Sequence, residues 1–176
     1  MTIIEVTNKL KNSIKALSET LTLMPEATFY ARCDDKWSPA EQAEHLKLSV
    51  KPLVLAYSLP KFSIRLLFGK PNRLGRDYAA VVDKYTIKLK NGGSASAPFI
   101  PKQLKTGTPR TDIIESFEQM HEKFIGNLKH WDEQSVDKYL LPHPLLGKIT
   151  MREMLYFTDI HILHHNALIH KYYIQK

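Results

Sequence analysis

The stretch that decides the architecture is Thr150-Met151-Arg152-Glu153-Met154-Leu155-Tyr156-Phe157-Thr158-Asp159-Ile160-His161-Ile162-Leu163-His164-His165-Asn166-Ala167-Leu168-Ile169-His170, close to the end of the 176 residues. Thr150 and Glu153 stand at the spacing of a capping box. In that motif a hydroxyl accepts from a free N–H of the first helical turn and a glutamate returns a bond to the cap. Behind it, Met151, Met154, Leu155, Thr158, Ile162 and Ile169 fall on one side of a helix turning by about 100° per residue. The pattern predicts a helix from this cap to about Tyr173, with one stripe to bury.

The same stretch holds His161, His164, His165 and His170, half of the eight histidines. His161 and His165 are four apart, which sets their β-carbons about 5–6 Å from each other on one face. His165 lies within the apolar stripe and His161 on its edge. His164 is roughly 120° away, beside that face or at the surface, and His170 faces elsewhere. Imidazoles aimed at a core cost free energy unless each ring nitrogen finds a partner. A metal ion is one such partner; hydrogen bonds to neighbours, or a wet cleft, are others.

Working outward, Leu141-Pro142-His143-Pro144-Leu145-Leu146-Gly147-Lys148 reads as a rigid turn. Ile113, Phe117, Met120, Phe124, Leu128 and Trp131 mark another helix beyond Thr111, on which His121 and His130 are expected as surface or satisfied core residues. Near the start, Leu10, Ile14, Leu17, Leu21 and Met24 give a stripe along a helix from Ile3. In Trp37-Ser38-Pro39-Ala40-Glu41-Gln42-Ala43-Glu44-His45-Leu46, Ser38 caps, Pro39 suits the first helical position and Glu41 completes a second capping box. That helix runs to about Tyr57. His45 falls on its Glu41, Leu48, Leu55 side rather than on the Ala43, Leu46, Val50, Val54 side, so a buried His45 requires either two buried faces, for which Leu48 and Leu55 would supply the second, or a different core stripe.

Between Ser58 and Pro109 lie five of the ten prolines and five of the seven glycines, which excludes one uninterrupted helix. Residues 58–110 are therefore expected as a crossover. Asp77–Lys90 within it can form a short extra helix, with some strand character at Val81, Val82 and Tyr85, and residues 91–98 read as a loop. Four amphipathic helices with one long connection between the second and third make an all-α, four-helix bundle with a crossover, expected as a single domain over residues 1–176.

Composition narrows the function classes. Apolar residues at 43% and charged residues at 24% fit an ordinary globular domain rather than a disordered or fibrous chain. No run approaches the ~20 apolar residues of a membrane span, and Glu5 interrupts any secretory leader, so a cytoplasmic location is expected. The single Cys33 cannot form an internal disulfide. Of the net charge of +7, residues 61–110 carry +9, with eleven Lys/Arg against Asp77 and Asp83. That charge reads as a solvated surface or as an anion-attracting rim beside a site. No nucleic-acid module or aromatic-interleaved basic motif accompanies it, which weighs against nucleic acid as a partner.

Three segments together resemble the DinB/YfiT-like superfamily: the Trp37 to Leu46 run, the turn from His143 to Thr150, and the closing helix through His161 and His165. The resemblance implies the four-helix bundle and one divalent metal ion on His45, His161 and His165. It also implies a metal-dependent enzyme acting on a small-molecule substrate, by hydrolysis or by transfer of a low-molecular-weight thiol, often as a homodimer. Three neutral imidazoles leave positions open to water or substrate, as in catalytic zinc sites, and suit zinc, nickel and iron alike. Glu41 and Glu44 are the candidate general bases nearest in sequence, although a capping role explains Glu41 and a solvated one Glu44. A non-catalytic protein that captures metal or ligand in the same pocket is the alternative.

Overall fold

The computed structural model describes residues 1–104 and 107–174; Lys105 and Thr106 of the crossover and the last two residues of the chain lie outside it. Helix α1 (Ile3–Leu23) starts on a capping box made by Thr2 and Glu5 and buries Val6, Leu10, Ile14, Leu17 and Leu21, the predicted stripe extended by one turn. A short helix α2 (Glu26–Tyr30) follows Pro25 and plugs Phe29 into the core. Helix α3 (Pro39–Ser58) begins where expected: Ser38 Oγ accepts from Glu41 N, and Glu41 Oε2 accepts from Ser38 N at 2.8 Å. Helix α4 (Lys61–Phe68) and helix α5 (Tyr78–Lys90) lie in the crossover. Asp77 caps α5 through a bond from Ala80 N, which settles its strand ambiguity in favour of helix.

Helix α6 (Arg110–Asn127) buries Ile113, Phe117, His121 and Phe124 at three- and four-residue spacing and tightens into a 3₁₀ turn over Leu128–His130. The segment predicted as a turn is a hairpin, β1 (Leu140–His143) paired antiparallel with β2 (Gly147–Thr150). Three residues link the strands, and Gly147 closes the loop at φ +73°, where a side chain is disfavoured. Helix α7 (Met151–Ile169) leaves the hairpin through the Thr150–Glu153 capping box and continues as a π-turn over His170–Ile174.

The bundle consists of α1, α3, α6 and α7. Helix α1 packs on α6 and α7, and α3 packs on the same two, so the helices that are consecutive in the bundle, α1 and α3, face each other across its diagonal. The crossover then lays α5 along α7, α4 against β1, and a 3₁₀ turn (Ala97–Phe99) against α3. This wrapping buries α7 on nearly every side, with every residue from Glu153 through Ile162 buried, where a two-layer bundle would bury only a stripe. Burial of the larger apolar side chains contributes roughly 1.5–3 kcal/mol each, and one apolar cluster runs through all four bundle helices.

Several crossover cations have a structural use that their sequence position does not disclose. Arg73 binds both oxygens of the fully buried Glu153 at 2.8 and 2.7 Å, and Arg76 adds its backbone N–H at 2.9 Å and a guanidinium bond at 3.2 Å. Lys61 meets Asp132, Lys84 donates to the Leu146 carbonyl, and Arg110 donates to the carbonyls of Thr22 and Met24. These five side chains tie the connection to the bundle. Asp159, buried on α7, accepts from Ser13 of α1 and Tyr78 of α5, each at 2.6 Å, and so joins three elements at one carboxylate.

Candidate metal centre

The N-terminal half of α3 and the middle of α7 bring His45, His161 and His165 together, each at most 7% exposed, with one ligand nitrogen from each lying within 4.8 Å of the others. The Nε2 atoms of His45 and His161 are 3.1 Å apart. Two nitrogens at bonding distance from one tetrahedral ion stand about 3.3 Å apart, so this pair is set at coordinating separation.

Two rings are held in one tautomer. His45 Nδ1 donates to the Phe99 carbonyl at 2.7 Å, and His165 Nδ1 donates to Gln42 Oε1 at 3.0 Å. The amide of Gln42 is itself oriented, because its Nε2 donates to the Trp37 carbonyl at 3.1 Å. Each bond leaves Nε2 with its lone pair as the nitrogen the ring can offer to an ion, the arrangement by which partners of metal-binding histidines orient them. Phe157 stacks on His161 with ring centres 5.0 Å apart, and Trp37 lies 4.9 Å from His45.

Burial holds all three imidazoles below their ordinary range. For His161 and His165 it pushes the pKa far down, and neighbouring histidines push the same way; for His45 the Phe99 bond opposes it in part. A site of neutral imidazoles accepts a cation without first losing protons, so the donor set fits a divalent metal.

The three histidines form the floor of a cavity of about 900 Å³. Its wall is apolar over most of its extent, with Leu53, Phe68, Leu89, Phe99, Leu145 and Phe157 among the lining residues. Along α3 the wall is the stripe Gln42, His45, Ser49, Pro52, Leu53 and Ala56. This corrects the expectation for the second buried face: Leu55 is 63% exposed and Leu48 only half-buried, and His45 is covered by the crossover at Phe99 instead of by a helix packed on Leu48 and Leu55.

Glu41 and Glu44 are not on the cavity wall among the described residues. Glu41 is spent on the Ser38 cap and a bidentate pair with Arg32, and Glu44 pairs with Lys47. The wall instead presents Tyr85 from α5 and His143 from the hairpin, which the local pattern gave no role, and His164, half-buried beside His165 where its helical angle put it. Burial raises the Tyr85 hydroxyl to about 12, so it stays protonated near neutral pH. His121 is a satisfied core residue, with Nδ1 donating to the Phe117 carbonyl, and His130 is exposed. His170 faces away from the cluster, as expected, with its Nε2 3.4 Å from Thr20 Oγ1 of α1. None of the crossover lysines and arginines lines the cavity among the described residues.

Known proteins complete the picture. YfiT from Bacillus subtilis, described as "a probable metal-dependent hydrolase with an unusual four-helix bundle topology", superposes with a TM-score of 0.62 at 15% identity, over 96% of this chain and 84% of that one, a likeness of fold. No curated protein matches the chain by sequence. No helix among the described residues is long and apolar enough to cross a membrane. The sequence profile of the DinB superfamily matches residues 9–169, from α1 to the last residue of α7, and the chain belongs to that superfamily.

Proposed function

We propose that this chain is a metal-dependent hydrolase of a small molecule, with the ion held by His45, His161 and His165. The observation that carries the reading is the pinned pair of Nδ1 atoms, Phe99 on one ring and Gln42 on the other, which commits the facing nitrogens to a single point on a cavity floor.

A divalent ion held by His45, His161 and His165 would lower the pKa of a bound water from about 15.7 to about 7 and would act as a Lewis acid toward a substrate carbonyl. The chain's own residues do the rest. Phe99 and Gln42 hold the ligand rings, so little reorganisation accompanies reaction. Tyr85, its ring centre 6.2 Å from that of His161, keeps a proton to donate toward negative charge developing on the substrate. His164, with its ring 5.2 Å from that of His165, is on the wall outside the ligand set, as is His143; burial lowers its pKa, so it stands as a neutral imidazole whose free nitrogen can accept a hydrogen bond from substrate or water. Apolar walls exclude water and strengthen each of these interactions.

Hydrolysis fits the cavity better than thiol transfer. A low-molecular-weight thiol built on cysteine brings a carboxylate or ammonium group, and among the described residues Asp35 and Lys36 are the only carboxylate or Lys/Arg side chains on the wall. The test uses untagged protein stripped with a chelator, reloaded with Zn²⁺, Ni²⁺ or Fe²⁺ in turn, and assayed on panels of esters, amides and lactones, and on electrophiles with and without added thiol. Cleavage that appears on reloading and is lost in His161→Ala supports the proposal. Turnover only with thiol makes the chain a transferase, and metal uptake without turnover makes it a binding protein; either outcome overturns hydrolysis.

A further inference from the structure

The cavity wall also specifies what it takes. Resting on the reading that this cavity is the substrate pocket of the histidine cluster, we propose that its ligand is an uncharged, mainly apolar molecule with one hydrogen-bond acceptor, which the Nε2–H of His143 holds.

Size and lining give the first half. About 900 Å³ is near the upper end for small-molecule sites, which run from about 300 to about 1,000 Å³. Apart from Asp35 and Lys36, both exposed, the described lining offers no Asp, Glu, Lys or Arg to a ligand charge. Beyond reach of the histidine cluster and the ion it would hold, a charge carried into the cavity would lose its water without gaining a counter-ion, which is the costliest form of burial.

His143 gives the second half. Its Nδ1 accepts from two backbone N–H groups of the hairpin loop, Leu145 and Leu146, both at 3.1 Å. A nitrogen that accepts two donors carries no proton, so the ring proton sits on Nε2 at the opposite edge. Burial, with a smaller push from Lys84, lowers this imidazole to about 4, and the neutral form persists. Among the described residues Nε2–H has no hydrogen-bond partner, while the ring lines the cavity and packs on Phe157, 4.1 Å between centres, which in turn stacks on His161. The result is a donor of fixed direction on the cavity wall, one aromatic ring removed from the metal ligands.

The test is a binding measurement on the full chain, metal-free and zinc-loaded. The neutral fluorophore N-phenyl-1-naphthylamine reports occupancy, and 2-octanone, octanoate and 1-octene compete at matched chain length. In metal-free protein, 2-octanone is expected to displace the fluorophore at least about tenfold more tightly than octanoate. The ketone-to-alkene affinity ratio is expected to fall roughly three- to tenfold in His143→Phe, the range of one lost hydrogen bond. His143→Asn keeps an acceptor for the loop amides without the reach of Nε2–H and is expected to show the same fall, which keeps the donor role testable should the phenylalanine variant unfold. The proposal is overturned if the fluorophore does not bind, if octanoate competes as well as the ketone in metal-free protein, or if the ratio is unchanged in a folded variant. Zinc titration of the same preparation separates the two readings: zinc uptake without apolar binding defeats this inference alone, and apolar binding without zinc uptake defeats the metal centre alone.

Discussion

Replacing Gln42 by leucine tests how the proposed ligand set is oriented without touching a proposed ligand. Gln42 is 3% exposed, and leucine fills a similar volume, so the change removes two hydrogen bonds while creating little empty space. The Trp37 carbonyl keeps a partner, because the Tyr173 hydroxyl donates to it at 2.9 Å. His165 Nδ1–H is left without its acceptor and the ring is free to rotate or change tautomer. A neutral bond of this kind is worth about 0.5–1.5 kcal/mol net, and loss of a partner to a metal-binding histidine weakens metal affinity by roughly 10–100-fold. The two ranges meet near tenfold, and since the partner is an amide and not a carboxylate, the lower end applies. Zinc affinity is measured by competition with a chromophoric chelator at pH 7.5, with urea unfolding as the control for folding. A folded Gln42→Leu protein binding zinc within about twofold of the parent would refute the reasoning.

Three other perturbations probe the scaffold. Glu153→Gln keeps the shape of the cap but removes the charge that Arg73 and Arg76 share; with both arginines partly solvated, a loss of about 2–4 kcal/mol is expected in urea unfolding, and one below 0.5 would contradict the clasp. His121, held near 4 by burial against about 6.5 when unfolded, is depressed on folding, so the unfolded chain takes up the proton first as the pH drops. Metal-free protein is therefore expected to lose about 2 kcal/mol between pH 7 and pH 5 from this residue alone, a loss that His121→Leu abolishes if the argument holds. Gly147→Ala meets no atom within 4 Å, so its cost is conformational, about 1 kcal/mol, and a neutral effect on Tm would show that the loop closes without positive φ.

Much of the fold was legible because its signals are local. The capping boxes at Ser38 and Thr150 are satisfied within one turn, and the stripes of α1 and α6 follow from helical period alone. The same local logic put His161 and His165 on one face; His45 joined them through resemblance. What remained hidden depends on contacts between distant residues. Helix α4 and the β1–β2 hairpin occupy proline-broken stretches whose form is set by what they pack on. Phe99 and Tyr85 acquire roles only when the crossover packs on the bundle, Gln42 only when α3 meets α7, and His143 only when the hairpin closes on itself, and nothing in their neighbours' spacing marks them. The placement of Leu55 failed for the same reason, since a helix face can be buried by a loop over half its length and left in water over the rest.

On the proposed reading, three imidazoles hold one ion. Elemental analysis of untagged protein, purified without added metal and set beside His45→Ala, His161→Ala and His165→Ala, measures it most directly. The geometry predicts one divalent ion per chain in the parent and its loss from each variant that still folds. A parent that takes up no stoichiometric metal even when offered zinc, or variants that retain it, would contradict the claim.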